Sequence, residues 1–292
     1  MIEGVLPALI TPFTKDNKID KEGLTQNIEF LIENGVSGIV PCGTTGEAAT
    51  LSIEEHEKVI EYAVECSNVP VVAGTGSNNT TEALELTKSA ADAGADSVLL
   101  ITPYYNKPND RGMVAHFKTV ANAVDIPIIL YNVPSRTGIN MKPEVVAELA
   151  KVSNIVGIKE ASGSLDQITR ILELTKDEDF VVLSGDDGLT LPILALGGVG
   201  VISVVANVAP KLMVSMVQAF QKGDLDRARE LHLSLAPLIR AVFSETNPIP
   251  VKKAVELIGL PAGNLRLPLA PMSEENEKKL KAALNDLHLI KK

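Results

Sequence analysis

The sequence predicts an α/β protein: a (β/α)8 TIM barrel with a helical extension at its C-terminal end. Three observations predict it. Short apolar runs rich in Val, Ile and Leu alternate with stretches of helical periodicity, about eight times within residues 1–222. The strand-like runs are apolar almost throughout instead of alternating with polar residues, the pattern of a parallel sheet covered on both faces. The first run leads into Thr11-Pro12-Phe13, and not into the GxGxxG turn that usually opens a doubly wound open sheet. That open sheet is the second choice of architecture.

Taken in order, residues 4–10 read as the first strand and 21–34 as a helix with Leu24, Ile28, Leu31 and Ile32 on one side. Residues 38–41 read as the second strand. Ser52 then starts a helix as its cap, with Glu55 three residues on completing a capping box, and the helix runs to about Cys66. Strands follow at 69–73, 97–101, 127–131, 155–159, 180–184 and 199–204. Between and after them lie helices at 80–93 (stopped by Gly94), 110–124, 142–151 (opened by Pro143), 165–175, 188–196 and 210–222. Beyond Lys222 the strands cease, and 225–243, 251–257 and 275–289 read as helices. The expected division is a catalytic barrel over 1–222 and a helical extension over 223–292. No Gly/Ser-rich linker precedes 223, so the extension packs on the barrel.

Composition excludes several classes. At 292 residues and 45% hydrophobic the chain can bury a large core. Its apolar runs are strand-length, short of the roughly 20 residues of a membrane span. Met1-Ile2-Glu3-Gly4 has no basic n-region, so no signal peptide is expected. A formal charge of −10 argues against a nucleic-acid partner. Cys42 and Cys66, without CxxC spacing, suit a reducing cytoplasm. His56, His116, His232 and His288 are scattered, with no HxH or HExxH pattern, so neither a metal nor another cofactor is expected.

In this architecture the chemistry sits at the C-terminal ends of the strands. There stand Gly43-Thr44-Thr45-Gly46-Glu47, Gly74-Thr75-Gly76, Thr102-Pro103-Tyr104-Tyr105-Asn106, Tyr131-Asn132-Val133-Pro134-Ser135-Arg136-Thr137-Gly138, Lys159 and Ser184-Gly185-Asp186-Asp187. Lys159 closes the apolar run Ile155-Val156-Gly157-Ile158. Desolvation disfavours the ammonium, and a neutral amine can attack a carbonyl to form a Schiff base. A lysine that turns outward to pair with Glu160 is the alternative. Tyr131 suits a proton carrier beside such an imine, or a core tyrosine. Arg136 suits a bidentate grip on a carboxylate, or a solvated loop. The glycines around Thr44 and Thr45 suit a backbone nest for a small anion, with the next helix adding its positive end, or simply a tight turn. Asp187 reads as the cap of the helix after it. Gly197-Gly198 precedes a strand and reads as a helix C-cap and turn.

These motifs, together with Glu245-Thr246-Asn247-Pro248-Ile249-Pro250 and Leu265-Arg266-Leu267-Pro268-Leu269, resemble the 4-hydroxy-tetrahydrodipicolinate synthase (dihydrodipicolinate synthase) family over essentially the whole chain. The resemblance implies a lyase of aldolase type. It would condense pyruvate with L-aspartate 4-semialdehyde through a Schiff base, in lysine and diaminopimelate biosynthesis, as a homotetramer built from two dimers. By matching positions, Lys159 forms the imine, and Tyr131, Thr44 and Tyr105 form a hydroxyl relay, with Tyr105 reaching in from the neighbouring subunit. Thr45 and the Ile202 backbone hold pyruvate, and Arg136 binds the carboxylate of the second substrate. An effector site would comprise Ala48, Ala49, His56, Asn78, Glu82 and Tyr104. Lysine-inhibited members tend to carry serine and histidine where this chain has Ala48 and Ile53, so weak or absent inhibition by L-lysine is expected. Sister activities on the same scaffold, an N-acetylneuraminate lyase or a 2-keto-3-deoxy sugar acid aldolase, share the lysine and the tyrosine. Arg136 and the Thr44-Thr45 doublet favour the synthase. A barrel that binds a small ligand without catalysis is the reading from another class.

Overall fold

The computed structural model describes residues 2–290, so Met1 of the N-terminal reading lies outside it. Seven parallel strands, β1 (Gly4–Pro7), β2 (Val72–Gly74), β3 (Ser97–Ile101), β4 (Ile128–Asn132), β5 (Ile155–Glu160), β6 (Val181–Ser184) and β7 (Gly200–Ser203), pair in the order β1-β7-β6-β5-β4-β3-β2. The expected second strand at 38–41 makes only isolated parallel bridges, Ala8 to Val40 and Ile39 to Val71. Those bridges close the ring. The Val40 N–H donates to Pro7 at 2.9 Å on one side, and the Val72 N–H donates to Ile39 at 2.9 Å on the other. A barrel needs every strand paired on both edges, and this short segment completes the (β/α)8 barrel.

Helices α1 (Lys21–Glu33), α2 (Ile53–Cys66), α3 (Thr80–Asp92), α4 (Asp110–Ala121), α5 (Pro134–Thr137), α6 (Pro143–Leu149), α7 (Leu165–Thr175), α8 (Thr190–Leu196) and α9 (Pro210–Gln221) join the strands. Their starts follow local chemistry. Asp20, Asn79, Asn109 and Ser164 each accept a backbone N–H of the first turn. Ser52 and Glu55 form the expected capping box on α2. Gly197 ends α8 at φ +112°, a left-handed conformation that glycine adopts without Cβ strain. The one-turn helix α5 was not expected. The extension comprises α10 (Leu225–Val242), α11 (Ile249–Leu257) and α12 (Glu274–Asp286), with α10 against α9 and α12.

Strand side chains alternate between two faces, and this alternation positions the site. Leu6, Leu99, Ile129, Tyr131, Leu183 and Ile202 form one buried cluster inside the barrel. The intervening Val5, Val98, Leu100, Ile128, Leu130, Ile158, Val182 and Val201 face the helices in the larger core. Lys159 lies one residue beyond Ile158, on the inner face. In the β4–β5 register Tyr131 sits directly beside Lys159 and Asn132 beside Glu160. The amine and the phenol therefore point into the barrel from adjacent strands, while Glu160 points outward.

Candidate active site

Lys159 is buried, and its Nζ stands 4.2 Å from the centre of the Tyr131 ring. Burial pulls its pKa down to about 7; the carboxylate of Asp187 opposes that shift and the Arg136 guanidinium adds to it. A large share of the side chain is thus the neutral, nucleophilic amine at neutral pH. Outward pairing with Glu160 is absent among the described residues. That carboxylate is held by Asn132 at 3.0 Å, the Ser162 N–H at 2.7 Å and Gln167 at 3.3 Å. Burial raises the Tyr131 phenol, while Arg136 and a hydrogen bond with Thr44 draw it back down. Gly185 leaves room for the lysine: a Cβ there would lie 2.7 Å from the Ala161 Cβ and 3.1 Å from the Lys159 Cγ.

Two expectations need correction. Asp187 is no helix cap; Asp186 takes that role by accepting the Gly188 N–H at 2.8 Å. Asp187 is buried and accepts from the Ser203 hydroxyl and from the N–H groups of Val204 at 3.0 Å and Val205 at 3.3 Å. Burial pushes its carboxyl up to about 6. The turn at 43–47 differs in the helix expected directly after it. The N–H groups of Gly46 and Glu47 are spent inside it, on Gly43 and Thr44 at 3.1 Å each, whereas those of Thr44 and Thr45 make no hydrogen bond among the described residues and stay free for an anion. Helix α2 begins only at Ile53, behind the 3-10 turn Ala48–Thr50, so no helix end faces the site there. The threonines themselves remain available, Thr44 at Tyr131 and Thr45 buried beside Asn247.

Lys159 and Tyr131 open into a cavity of about 370 Å³ that Thr44, Thr45, Arg136 and Asp186 also line. Tyr105 is not among its lining residues; the ring is 88% exposed, at φ +67°. Ile202 is buried within the barrel on β7, two residues before the lining Val204. Sequence reasoning gave no role to Asn247, whose Nδ2 donates to the Thr45 hydroxyl at 3.0 Å and whose carbonyl accepts from Arg136 at 3.1 Å. Its motif signals a turn before α11, and only the fold carries it to Thr45. Arg240 of α10 adds a second guanidinium to the wall.

Known proteins resemble this chain over nearly its whole length. The model of the dihydrodipicolinate synthetase family matches residues 1–287. The chain belongs to that family. A 4-hydroxy-tetrahydrodipicolinate synthase of Methanosarcina mazei is 67% identical, covering 99% of this chain and all of the relative. The crystal structure of a dihydrodipicolinate synthase from Aquifex aeolicus is 49% identical and superposes with a TM-score of 0.96, covering 99% of both chains. That of the Cyanidioschyzon merolae enzyme with lysine bound is 41% identical, with a TM-score of 0.96 over 99% of both chains.

This member of the dihydrodipicolinate synthetase family has a second cavity, about 490 Å³, behind the first, and Thr44 and Tyr131 line both. Five of the six expected effector residues, Ala48, Ala49, His56, Glu82 and Tyr104, stand in its wall together with Ile53. The sixth, Asn78, donates to the Tyr104 carbonyl at 3.2 Å from just outside. His56 is buried with no partner for its Nδ1 among the described residues, and desolvation holds its imidazole below the ordinary range.

Proposed function

We propose that this chain is a lyase that condenses pyruvate with L-aspartate 4-semialdehyde to give 4-hydroxy-tetrahydrodipicolinate, on the route to diaminopimelate and lysine. The observation that carries the reading is the buried Lys159 amine, near pH 7 in its titration and 4.2 Å from the Tyr131 ring. The neutral Nζ attacks the keto carbon of pyruvate, and loss of water leaves a protonated imine. The imine draws electrons from the methyl group, so a proton leaves it and an enamine forms. The enamine carbon adds to the aldehyde of the second substrate. The amino group of that substrate then displaces Lys159 from the former keto carbon, closing the ring and freeing the enzyme.

In this reading Tyr131, Thr44 and Tyr105 carry protons to and from the reacting atoms, with Tyr105 supplied by a neighbouring subunit. Thr45 and the Ile202 backbone hold pyruvate. Asn247 supports that role: its amide occupies one lone pair of the Thr45 hydroxyl, leaving the hydroxyl proton free to be given to an anion. Arg136, braced on the Asn247 carbonyl, binds the carboxylate of the aldehyde substrate. The working form is a cytoplasmic homotetramer of two dimers, and the second cavity is the effector site.

Borohydride reduction in the presence of pyruvate tests the reading. The wild-type chain is expected to gain a covalent pyruvate-derived mass on Lys159, and Lys159→Ala is expected to gain none. Condensation is assayed beside cleavage of N-acetylneuraminate and 2-keto-3-deoxygluconate. Absence of the adduct defeats the Schiff base, and faster cleavage of either sugar acid defeats the choice of substrate.

A further inference from the structure

Glu47 and Lys252 form an ion pair at 2.7 Å whose side chains are 0% and 3% exposed. Neither residue contributes to the chemistry above. Burying two charges costs several kcal/mol each, and a buried pair is often no more stabilising than two apolar side chains of similar volume. Stability therefore explains the pair poorly, and its connections point elsewhere.

Glu47 ends the turn that carries Thr44 and Thr45, and it does so in a left-handed conformation at φ +55°. That conformation is unfavourable for a side chain with a Cβ, and it persists where surrounding contacts hold it. The contacts here come from far along the chain. One carboxylate oxygen takes the Lys252 ammonium, and the other takes the N–H of Arg266 at 3.0 Å. Lys252 spends its remaining donors on the carbonyls of Asn264 at 2.7 Å and Thr11 at 3.1 Å. Thr11 in turn donates its hydroxyl to the Gly46 carbonyl at 2.7 Å. Arg266 grips Glu55 with two nitrogens at 2.7 Å each and donates to the Thr50 carbonyl at 3.1 Å. The Phe13 ring lies 4.4 Å from the Lys252 ammonium and 4.1 Å from the Arg266 guanidinium. The far end of the turn is thereby fixed from α11, from the irregular segment that follows α11, and from the segment after β1. Its near end is fixed by Asn247 on Thr45.

We propose that Glu47 and Lys252 are positioning residues for the proposed condensation, clamping the turn at 43–47 from the C-terminal extension so that Thr44 meets Tyr131 and Thr45 faces the substrate carboxylate. The inference rests on the proposed function of the same cavity. The clamp acts through the turn and touches no reacting atom.

Three variants test it: Glu47→Gln, the double replacement Glu47→Leu with Lys252→Met, and Thr11→Val. Each is measured for thermal midpoint, kcat, KM for pyruvate, the pH dependence of kcat, and borohydride trapping. Glu47→Gln is expected to lose thermal stability, because it leaves the ammonium buried against a neutral amide. The double variant removes both charges and is expected to recover the midpoint. Both are nevertheless expected to lose kcat by about ten- to a hundred-fold, the scale on which small misplacements act. They are also expected to raise KM for pyruvate and to shift the alkaline limb of the profile upward, as Thr44 withdraws from Tyr131. Lys159 lies outside the clamp, so trapping at saturating pyruvate persists. Thr11→Val keeps both charges and is expected to shift kcat and the alkaline limb in the same direction by a smaller factor, with the midpoint lowered only by the loss of one buried hydrogen bond. The proposal is overturned if kcat follows the thermal midpoint, returning to wild type in the double variant. If that variant does not fold, an unchanged profile in Thr11→Val overturns it instead. Failure of the wild-type chain to condense the two substrates would sink the functional reading; a competent wild type with unaffected variants would sink the clamp alone.

Discussion

At Lys159 the folded chain binds fewer protons than the unfolded chain over a wide pH range. The unfolded amine titrates near 10.5 and the buried one near 7. Stability therefore rises with pH between those values, and below pH 7 the full penalty of burying the amine stands, up to roughly 5 kcal/mol. Replacing Lys159 with Met keeps the length and removes the charge. The variant is expected to melt above wild type at pH 6, with the difference shrinking steadily as pH rises from 7 towards 10.5. Thermal melts of both proteins across that range check it; a constant difference would mean the amine is not desolvated. The lysine was legible because its cause is local: four residues of apolar strand run straight into it. Asp187 was not, since nothing nearby distinguishes it from Asp186. Its partners Ser203, Val204 and Val205 lie 16 to 18 residues on, and only barrel closure brings them to it.

Elements whose signal lies within themselves were read well, and those completed by neighbours were read less well. The capping box of α2 sits where Ser52 and Glu55 put it. The segment 38–41 carries the right residues but makes only bridges, because Pro70 and Pro41, which cannot donate, stand in its short ladders. The same α2 carries the second cavity's chemistry. Ile53 opens the helix, 53% exposed, and Ala48 opens the 3-10 turn before it. Neither offers a hydrogen bond to an amino acid, and His56, its imidazole held neutral by burial, offers no charge. L-lysine is expected to leave initial rates within about two-fold of the uninhibited value up to millimolar concentration, since each missing polar contact costs about 1 kcal/mol or more. The double change Ala48→Ser with Ile53→His is expected to confer inhibition. Sub-millimolar inhibition of the wild type would overturn the account of this cavity.

On the scale of the whole molecule, the extension and the barrel share one site. Asn247, Lys252 and Arg266 reach the turn at 43–47 from the C-terminal side, so we propose that 1–222 and 223–292 act as one unit, although they differ in architecture. We propose a second dependence that reaches beyond the chain. Tyr105 is 88% exposed, and Tyr104 and Ile53, 38% and 53% exposed, are further large apolar side chains on the surface. If the phenol of Tyr105 completes a neighbour's relay, two inactive variants can repair one another. Lys159→Met lacks the nucleophile but keeps its tyrosine, and Tyr105→Phe lacks the hydroxyl but keeps its lysine. In a mixed dimer one cavity holds both lesions and the other holds neither. Random pairing of equal amounts is therefore expected to restore about a quarter of wild-type activity per subunit, as a two-fold isologous dimer requires. Co-expression in equal amounts, followed by assay of the whole purified mixture without selection for the mixed species, measures it. If Tyr105 served its own cavity, every site in the mixture would carry one lesion, and no activity would return.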